Sequence, residues 1–362
     1  MKKICFLWGG LKRGGSETAM ISLVEELKDY YDITILCHKA ICEYHSLPRM
    51  HLVFSDNGNP TTPISKLLSK IKFYSLIFRA IKSSNICISS EMPSIFIVAN
   101  LFSILLKKPI ILWNHSIIGE NNLTRSNAEE FLNKFSLKRA NHITNVSNYT
   151  QKSMFNYIHS RVNNSNVIYN IFKYKNDQAY CKNIKNTPII IAVGSICKNK
   201  NFELLIDSIK FIKDKYNIEL YLNIIGSGSD IEYLQYKIDN LKLNKCIKLL
   251  GYIDNPSDYI RNSSMLISSS NSEALPTVVI EALACEVPVI ATNTGAAEIL
   301  ENGKYGIVVE RNNVSQMANA ILEVLDNYEI AKNKAKLGKQ SLTRFSPEKI
   351  VPQWIELIES LT

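Results

Sequence analysis

The chain has 362 residues, 46% of them hydrophobic and 21% charged. That size and balance suit two soluble α/β domains and exclude a disordered, collagen-like or low-complexity polymer. The net charge of +9 is unevenly held: residues 1–180 carry 22 Lys/Arg against 12 Asp/Glu, and residues 181–362 carry 20 against 21. A basic half can meet anionic lipid, a phosphate-bearing acceptor or nucleic acid. With no zinc-finger spacing and no RNA-recognition signature, nucleic acid is not expected as a partner.

Met1-Lys2-Lys3 precedes a short apolar run, Ile4 to Trp8, that ends in Gly9-Gly10 without a small-residue cleavage site. It predicts a first buried strand rather than an export signal. The longest apolar run, Ile95 to Leu106, is about twelve residues and falls short of the roughly 20 that a spanning helix needs. The expectation is a cytoplasmic protein, free of spans and, at most, peripheral on a membrane. The eight cysteines include no C-x-x-C pair, so free thiols are expected and neither a zinc site nor a redox motif.

Short apolar runs then alternate with amphipathic stretches. Strands are predicted at Ile33–Cys37, Ile86–Ser89, Ile110–Trp113, Ile143–Val146, Ile189–Val193, Leu220–Ile225, Ile247–Leu249, Met265–Ser268 and Val287–Ala291. Helices are predicted at Glu17–Leu27, Phe202–Ile212 and Asp230–Asn240. This alternation predicts right-handed βαβ units with a parallel sheet in each half. A polar stretch from Tyr174 to Thr187, where the charge balance also changes, predicts the domain junction. Residues 64–82 interleave Lys66, Lys70, Lys72, Arg79 and Lys82 with leucine, isoleucine and phenylalanine. Such a helix either turns its apolar side to the core or lays it on an anionic membrane surface.

The densest chemical signal runs from Ser268 to Glu298: strand end, polar loop, helix, strand. Pro276 suits the first helical turn, and amides near Leu275 to Val278 would point out of a helix N-terminus, which binds phosphate through free N–H groups. Glu273 lies before the helix and Glu281 on it. Two ionised carboxylates repel a diphosphate and accept from hydroxyls, so ribose and hexose are their natural partners.

Glu273 and Glu281, followed by the strand at Val287–Ala291 and by Gly295 and Glu298, resemble the donor site of glycosyltransferase family 4, whose GT-B fold sets two Rossmann-like domains with parallel sheets face to face across a cleft. The resemblance implies that Glu281 binds the nucleotide ribose, that Glu273 contacts the donor sugar, and that Ala274, Leu275, Pro276 and Thr277 hold the diphosphate. Glu286 departs from the family, which has Gly there, and this bears on the turn geometry. Residues Val193 to Phe202 resemble the family's strand-and-loop motif, with Gly194 at the turn and Lys200 aligned with the lysine that neutralises the diphosphate. Ser195 stands where an arginine is common, and Lys198 is a candidate substitute for its charge.

Gly14-Gly15-Ser16-Glu17 opens a helix after the first strand without the Gly-Lys-Ser/Thr of a Walker loop. In the family this loop lies against the donor diphosphate or the acceptor. His115 ends a predicted strand at the carboxyl end, where α/β sheets place ligands, and the family has a histidine there near the donor sugar. Gly226 ends another strand, where a nucleobase or ribose can approach backbone. Ser147 belongs to a further family landmark. The resemblance also implies an acceptor domain over 1–180, a nucleotide-sugar domain over 181–345 and a closing helix over 346–362. The implied activity is retaining transfer from a UDP-linked sugar to a saccharide or lipid-linked saccharide in bacterial surface polysaccharide synthesis. Catalytic roles fall to His115, Lys200 and Glu273, with no cofactor and no obligatory metal. A GT-B epimerase, a phosphorylase and an inactive nucleotide-sugar-binding partner subunit are the alternatives.

Overall fold

The computed structural model describes residues 1–11, 14–39, 42–43, 51–56, 62–120, 126–173 and 188–362. The expected junction at 174–187 lies outside them. The chain divides into unit 1, Met1–Ile171 with Phe345–Thr362, and unit 2, Phe172–Arg344.

Unit 1 holds strands β1 (Lys3–Trp8), β2 (Asp32–Lys39), β3 (His51–Asp56), β4 (Ile86–Ser90), β5 (Ile110–Asn114), β6 (His142–Asn145) and β7 (Ser165–Val167). Among the described residues they form one parallel sheet in the order β3-β2-β1-β4-β5-β6-β7. Ile4 to Trp8 are all buried because helices cover both faces, the condition under which a parallel strand becomes a continuous apolar run. The helices are α1 (Gly15–Leu27), α2 (Pro63–Ser83), α3 (Pro93–Leu106), α4 (Asn127–Arg139) and α5 (Asn148–Ile158). Phe73, Ile77, Phe96, Leu137 and Met154, from α2 to α5, share a core with Cys5, Leu7 and Leu112. Trp113 instead meets Trp354, at a ring separation of 4.8 Å, on the helix Pro347–Leu361 that closes the chain. That helix also anchors through Glu359, which pairs with Lys2 at 2.5 Å and accepts from Tyr31 Oη at 2.9 Å.

Residues 64–82 lie on α2, which turns part of its apolar side to the core and leaves part exposed. Phe73, Ile77 and Ile81 are buried, whereas Ile64, Leu67, Leu68 and Ile71 are exposed.

Unit 2 holds β8 (Ile189–Val193), β9 (Tyr221–Ile225), β10 (Ile247–Leu249), β11 (Met265–Ser268), β12 (Val289–Thr292) and β13 (Ile307–Val309), again parallel, in the order β10-β9-β8-β11-β12-β13. Its helices are α6 (Phe202–Tyr216), α7 (Ile231–Asn240), α8 (Ser257–Arg261), α9 (Thr277–Ala284), α10 (Gly295–Ile299), α11 (Val314–Asp326) and α12 (Tyr328–Ser341). In each sheet the strand order reverses beside the first strand, between β1 and β4 and between β8 and β11. Loops diverge at such a point and leave a ligand crevice at the carboxyl ends.

Two local expectations are refined. Pro276 is the N-cap of α9 rather than a residue of its first turn. Glu286 has φ +57, the left-handed conformation that favours glycine, and its carboxylate takes a 2.8 Å ion pair from Lys339. The turn is therefore the one a glycine would make, adopted here by a non-glycine residue at a cost of about 1–2 kcal/mol.

Candidate active site

At the switch point of unit 2, the loops leaving β8 and β11 are laced together by polar contacts. Asn271 N donates to Asn199 O at 2.7 Å, and Asn199 Nδ2 donates to Ser272 O at 2.8 Å. Asn271 Nδ2 reaches Lys198 O at 3.1 Å, and Ser269 Oγ reaches Lys200 O at 2.8 Å. The loop leaving β9 joins them through Ile196 N to Ser227 O at 2.9 Å. A Cβ at Gly226 would stand 1.9 Å from Gly194 O. The backbone that passes close to Gly226 is thus the chain's own, which gives this glycine a packing reason besides any ligand.

This lacing brings the Lys200 ammonium onto Glu273 as an ion pair, although 73 positions separate them in sequence. The side chains keep only 23% and 16% of their exposure. Ser270 Oγ donates to the same Glu273 oxygen at 3.0 Å. Just beyond, no side chain caps α9, and its first amides, at Thr277 and Val278, point out of an open N-terminus. The approach is set by Gly295: its N–H donates to Glu273 O at 2.9 Å, and a Cβ there would lie 2.0 Å from Ala274 O. Leu275 and Pro276 are buried, so the exposed edge of the turn is backbone and Thr277.

Glu281 lies on α9, half-buried. Burial pushes its carboxyl above the ordinary range, and it has no hydrogen-bond or ion-pair partner among the described residues. A buried carboxylate that lacks partners is open to hydroxyl donors, which favour its ionised form. Ser195 and Lys198 are exposed; Lys198 contributes its carbonyl to the lacing. Sequence reasoning missed Arg311, which donates to Asn271 O at 2.9 Å, and Asn201, which bridges Asn271 and Asn312. Asn201 lies within the Val193–Phe202 motif, but the resemblance gives it no role there, and Arg311 belongs to no motif; only the fold brings Arg311 to this loop.

Unit 1 has its own constellation at its strand ends. His115 follows β5, with its ring 4.5 Å from that of Trp113 and 6.0 Å from that of Trp8. The residue keeps some exposure, but Nε2 is buried without a partner and burial pushes its pKa down to about 3, so it is a neutral imidazole. Glu91, which follows β4 and which no motif singled out, clamps the same turn: its Oε1 accepts Ser116 Oγ at 2.6 Å, and its carboxylate accepts backbone N–H of His115. Its Oε2 is buried without a partner, and burial pushes the carboxyl above its ordinary range. Asn114 Oδ1 accepts Ser116 N at 3.2 Å and completes the clamp. Gly14 and Gly15 open α1, and a Cβ at Gly14 would lie 2.6 Å from Glu17 Oε2. Ser147 is fully buried in the capping box of α5, a structural role.

Among the described residues no three His, Cys, Asp or Glu side chains gather as a metal site, and no helix is long and apolar enough to cross a membrane.

Residues 175–359 match the family described as glycosyl transferases group 1. Over 176 residues the chain is 34% identical to an uncharacterized glycosyltransferase of Methanocaldococcus jannaschii, a match that covers 47% of each; the chain thus spans about half the length of that relative. Over 355 residues it is 24% identical to a Campylobacter jejuni N-acetylgalactosamine-N,N'-diacetylbacillosaminyl-diphospho-undecaprenol 4-alpha-N-acetylgalactosaminyltransferase, covering 93% of this chain and 94% of the relative. The crystal structure of Anabaena HepE in complex with UDP-glucose matches all of both chains with a TM-score of 0.83 at 19% identity. That likeness, with the two parallel α/β units, agrees with the GT-B class expected from the sequence. The matched region spans half of the chain and contains the ion pair, the α9 terminus and Glu281, and on that ground the protein belongs to the group 1 glycosyl transferases and is a glycosyltransferase.

Proposed function

We propose that this enzyme is a retaining transferase of family 4 that moves a sugar from a UDP-linked donor to a hydroxyl of a lipid-linked saccharide in bacterial surface polysaccharide synthesis. The observation that carries the donor reading is the Lys200–Glu273 pair beside the open N-terminus of α9, with partnerless Glu281 on the same helix. A diphosphate is the ligand that would part this pair to advantage. It takes the Lys200 ammonium and the α9 amides, and it leaves the Glu273 carboxylate to the hydroxyls of the sugar and Glu281 to those of the ribose.

As the bond between the anomeric carbon and phosphate breaks, charge grows on the departing diphosphate, where the ammonium and the helix dipole are already aimed. The acceptor hydroxyl attacks from the same face, and its proton passes to the departing phosphate oxygen, so the chain supplies no nucleophile. The unpaired groups of unit 1, Glu91 Oε2 and His115 Nε2, suit the acceptor's hydroxyls. The diphospho-undecaprenol in the name of the Campylobacter relative and the UDP-glucose bound to HepE support the lipid-linked acceptor and the donor.

A thermal-shift series with UDP-, GDP- and ADP-sugars tests this. A UDP-sugar should raise the melting temperature by mass action, and Glu281→Ala should remove the rise. A rise with GDP- or ADP-sugars alone overturns the UDP assignment, and no rise at all overturns the donor site. NMR of the product's anomeric configuration decides retention, with inversion the contrary result.

A further inference from the structure

We propose that the outer surface of α2, α3 and α4 docks unit 1 on an anionic lipid bilayer. The three helices follow one another on one side of the sheet and pack side by side: the Phe78 and Phe102 rings meet at 5.3 Å, and Asn100 Nδ2 donates to Ser136 O at 3.1 Å. Their inner faces fill the core, but each also turns large apolar side chains outward. On α2 these are Ile64, Leu67, Leu68 and Ile71, a single stripe at helical spacing. On α3 they are Leu101, Ile104 and Leu105, and on α4 Phe131, Leu132 and Phe135. Phe131 is 69% exposed and Leu105 68%. Scattered exposed leucines need no explanation, whereas apolar rows on three adjacent helices mark an interaction surface.

Charge selects the occupant. Segments 63–83, 93–108 and 127–139 hold ten Lys/Arg against Glu129 and Glu130, a net +8 that equals nearly all of the chain's +9. A second copy of this face would meet like charge with like charge. Anionic headgroups instead draw the basic side chains while the leucines and phenylalanines enter the acyl boundary, and long Lys and Arg stems reach back to the headgroups. Binding of this kind needs no spanning helix. The inference does not depend on the donor chemistry of unit 2, so either can fail alone.

The test is co-sedimentation of the full chain with phosphatidylcholine vesicles that contain either none or about 30% phosphatidylglycerol, at low and high salt. The full chain should pellet with the anionic vesicles at low salt and largely remain in solution with neutral vesicles or at high salt. Phe131→Ser with Phe135→Ser, and separately Lys134→Glu with Lys138→Glu, should each weaken the partition by about tenfold or more, while the circular dichroism spectrum and the melting temperature of the free protein are retained as proof of folding. Equal binding to neutral vesicles, or variants that pellet like the parent, overturns the proposal. So does a dimer in analytical ultracentrifugation that those substitutions dissociate, because the face would then belong to a second copy.

Discussion

At the carboxyl ends of their strands the two units differ in how many buried polar groups stay unpaired: among the described residues Ser272 Oγ is such an atom in the unit 2 loops, against several in unit 1. In unit 2 the loops after β8 and β11 bind one another through Asn199, Asn271 and Ser269, the loop after β9 joins them through Ile196 N to Ser227 O, and the Lys200 ammonium is held by Glu273 while Arg311 donates to Asn271 O. In unit 1, Glu91 Oε2, His115 Nε2, Ser90 Oγ and Asn170 Oδ1 are buried near the strand ends without partners. A buried polar atom left unpaired costs about 1–3 kcal/mol. Unit 2 thus presents a largely preformed cluster of polar loops, whereas unit 1 keeps buried polar atoms available to a ligand's hydroxyls. The two sheets share the order of their first six strands, and unit 1 adds β7 at one edge.

The largest effect should come from the cation of unit 2. Lys200→Ala is expected to lower kcat about 100-fold or more, measured as release of nucleoside diphosphate, because the leaving group loses a fixed charge. Lys198→Ala should stay within about threefold, as for an exposed side chain away from the pair. Equal losses would show that the ion pair does not select the working cation.

Next in size is the backbone fit that aims α9. Gly295→Ala forces a Cβ against Ala274 O and should cost about 1–3 kcal/mol in thermal denaturation, with weaker nucleotide binding. An unchanged melting temperature would mean that the turn yields freely and is not pre-organised.

A smaller effect of opposite sign is expected in unit 1. Burial raises the Glu91 carboxyl, so the folded state holds its proton to higher pH than the unfolded chain, and ionisation costs stability as pH rises through and above the ordinary carboxylate value. Glu91→Gln should therefore raise the melting temperature at neutral pH by about 2 °C and make little difference near pH 4. A loss of stability at neutral pH would show that the carboxylate is a satisfied structural clamp.

The smallest effect concerns His115. Its folded pKa lies below the unfolded value, so its contribution is complete above about pH 6.5 and declines as pH falls toward about 3. His115→Gln should flatten the acid limb of stability over that window. A parallel acid limb in both proteins would place His115 in contact with solvent.

Much of this was legible beforehand. The central strands announce themselves because both faces are covered, and Ile4–Trp8 and Ile189–Val193 read as short apolar runs that each end at a glycine. The unpredicted strands β3, β7 and β13 are sheet edges, and Ser165–Val167 is only half-buried throughout, so selection for apolar side chains there is weak. In the candidate site, Glu273 and Glu281 could be read from one contiguous motif. The contact of Lys200 with Glu273 could not, because it depends on β8 and β11 lying side by side. Glu91 had no local signal at all: one carboxylate after a strand has no motif, and only the register of Ser90 with Trp113 sets it beside the His115 turn.

The most direct test of the central claim is a crystal structure with UDP bound. The account predicts phosphate oxygens within about 3 Å of Lys200 Nζ and of the Thr277 or Val278 amide, with ribose hydroxyls on Glu281 and the Lys200–Glu273 pair opened. A diphosphate bound elsewhere, with that pair closed and Glu281 untouched, would contradict it.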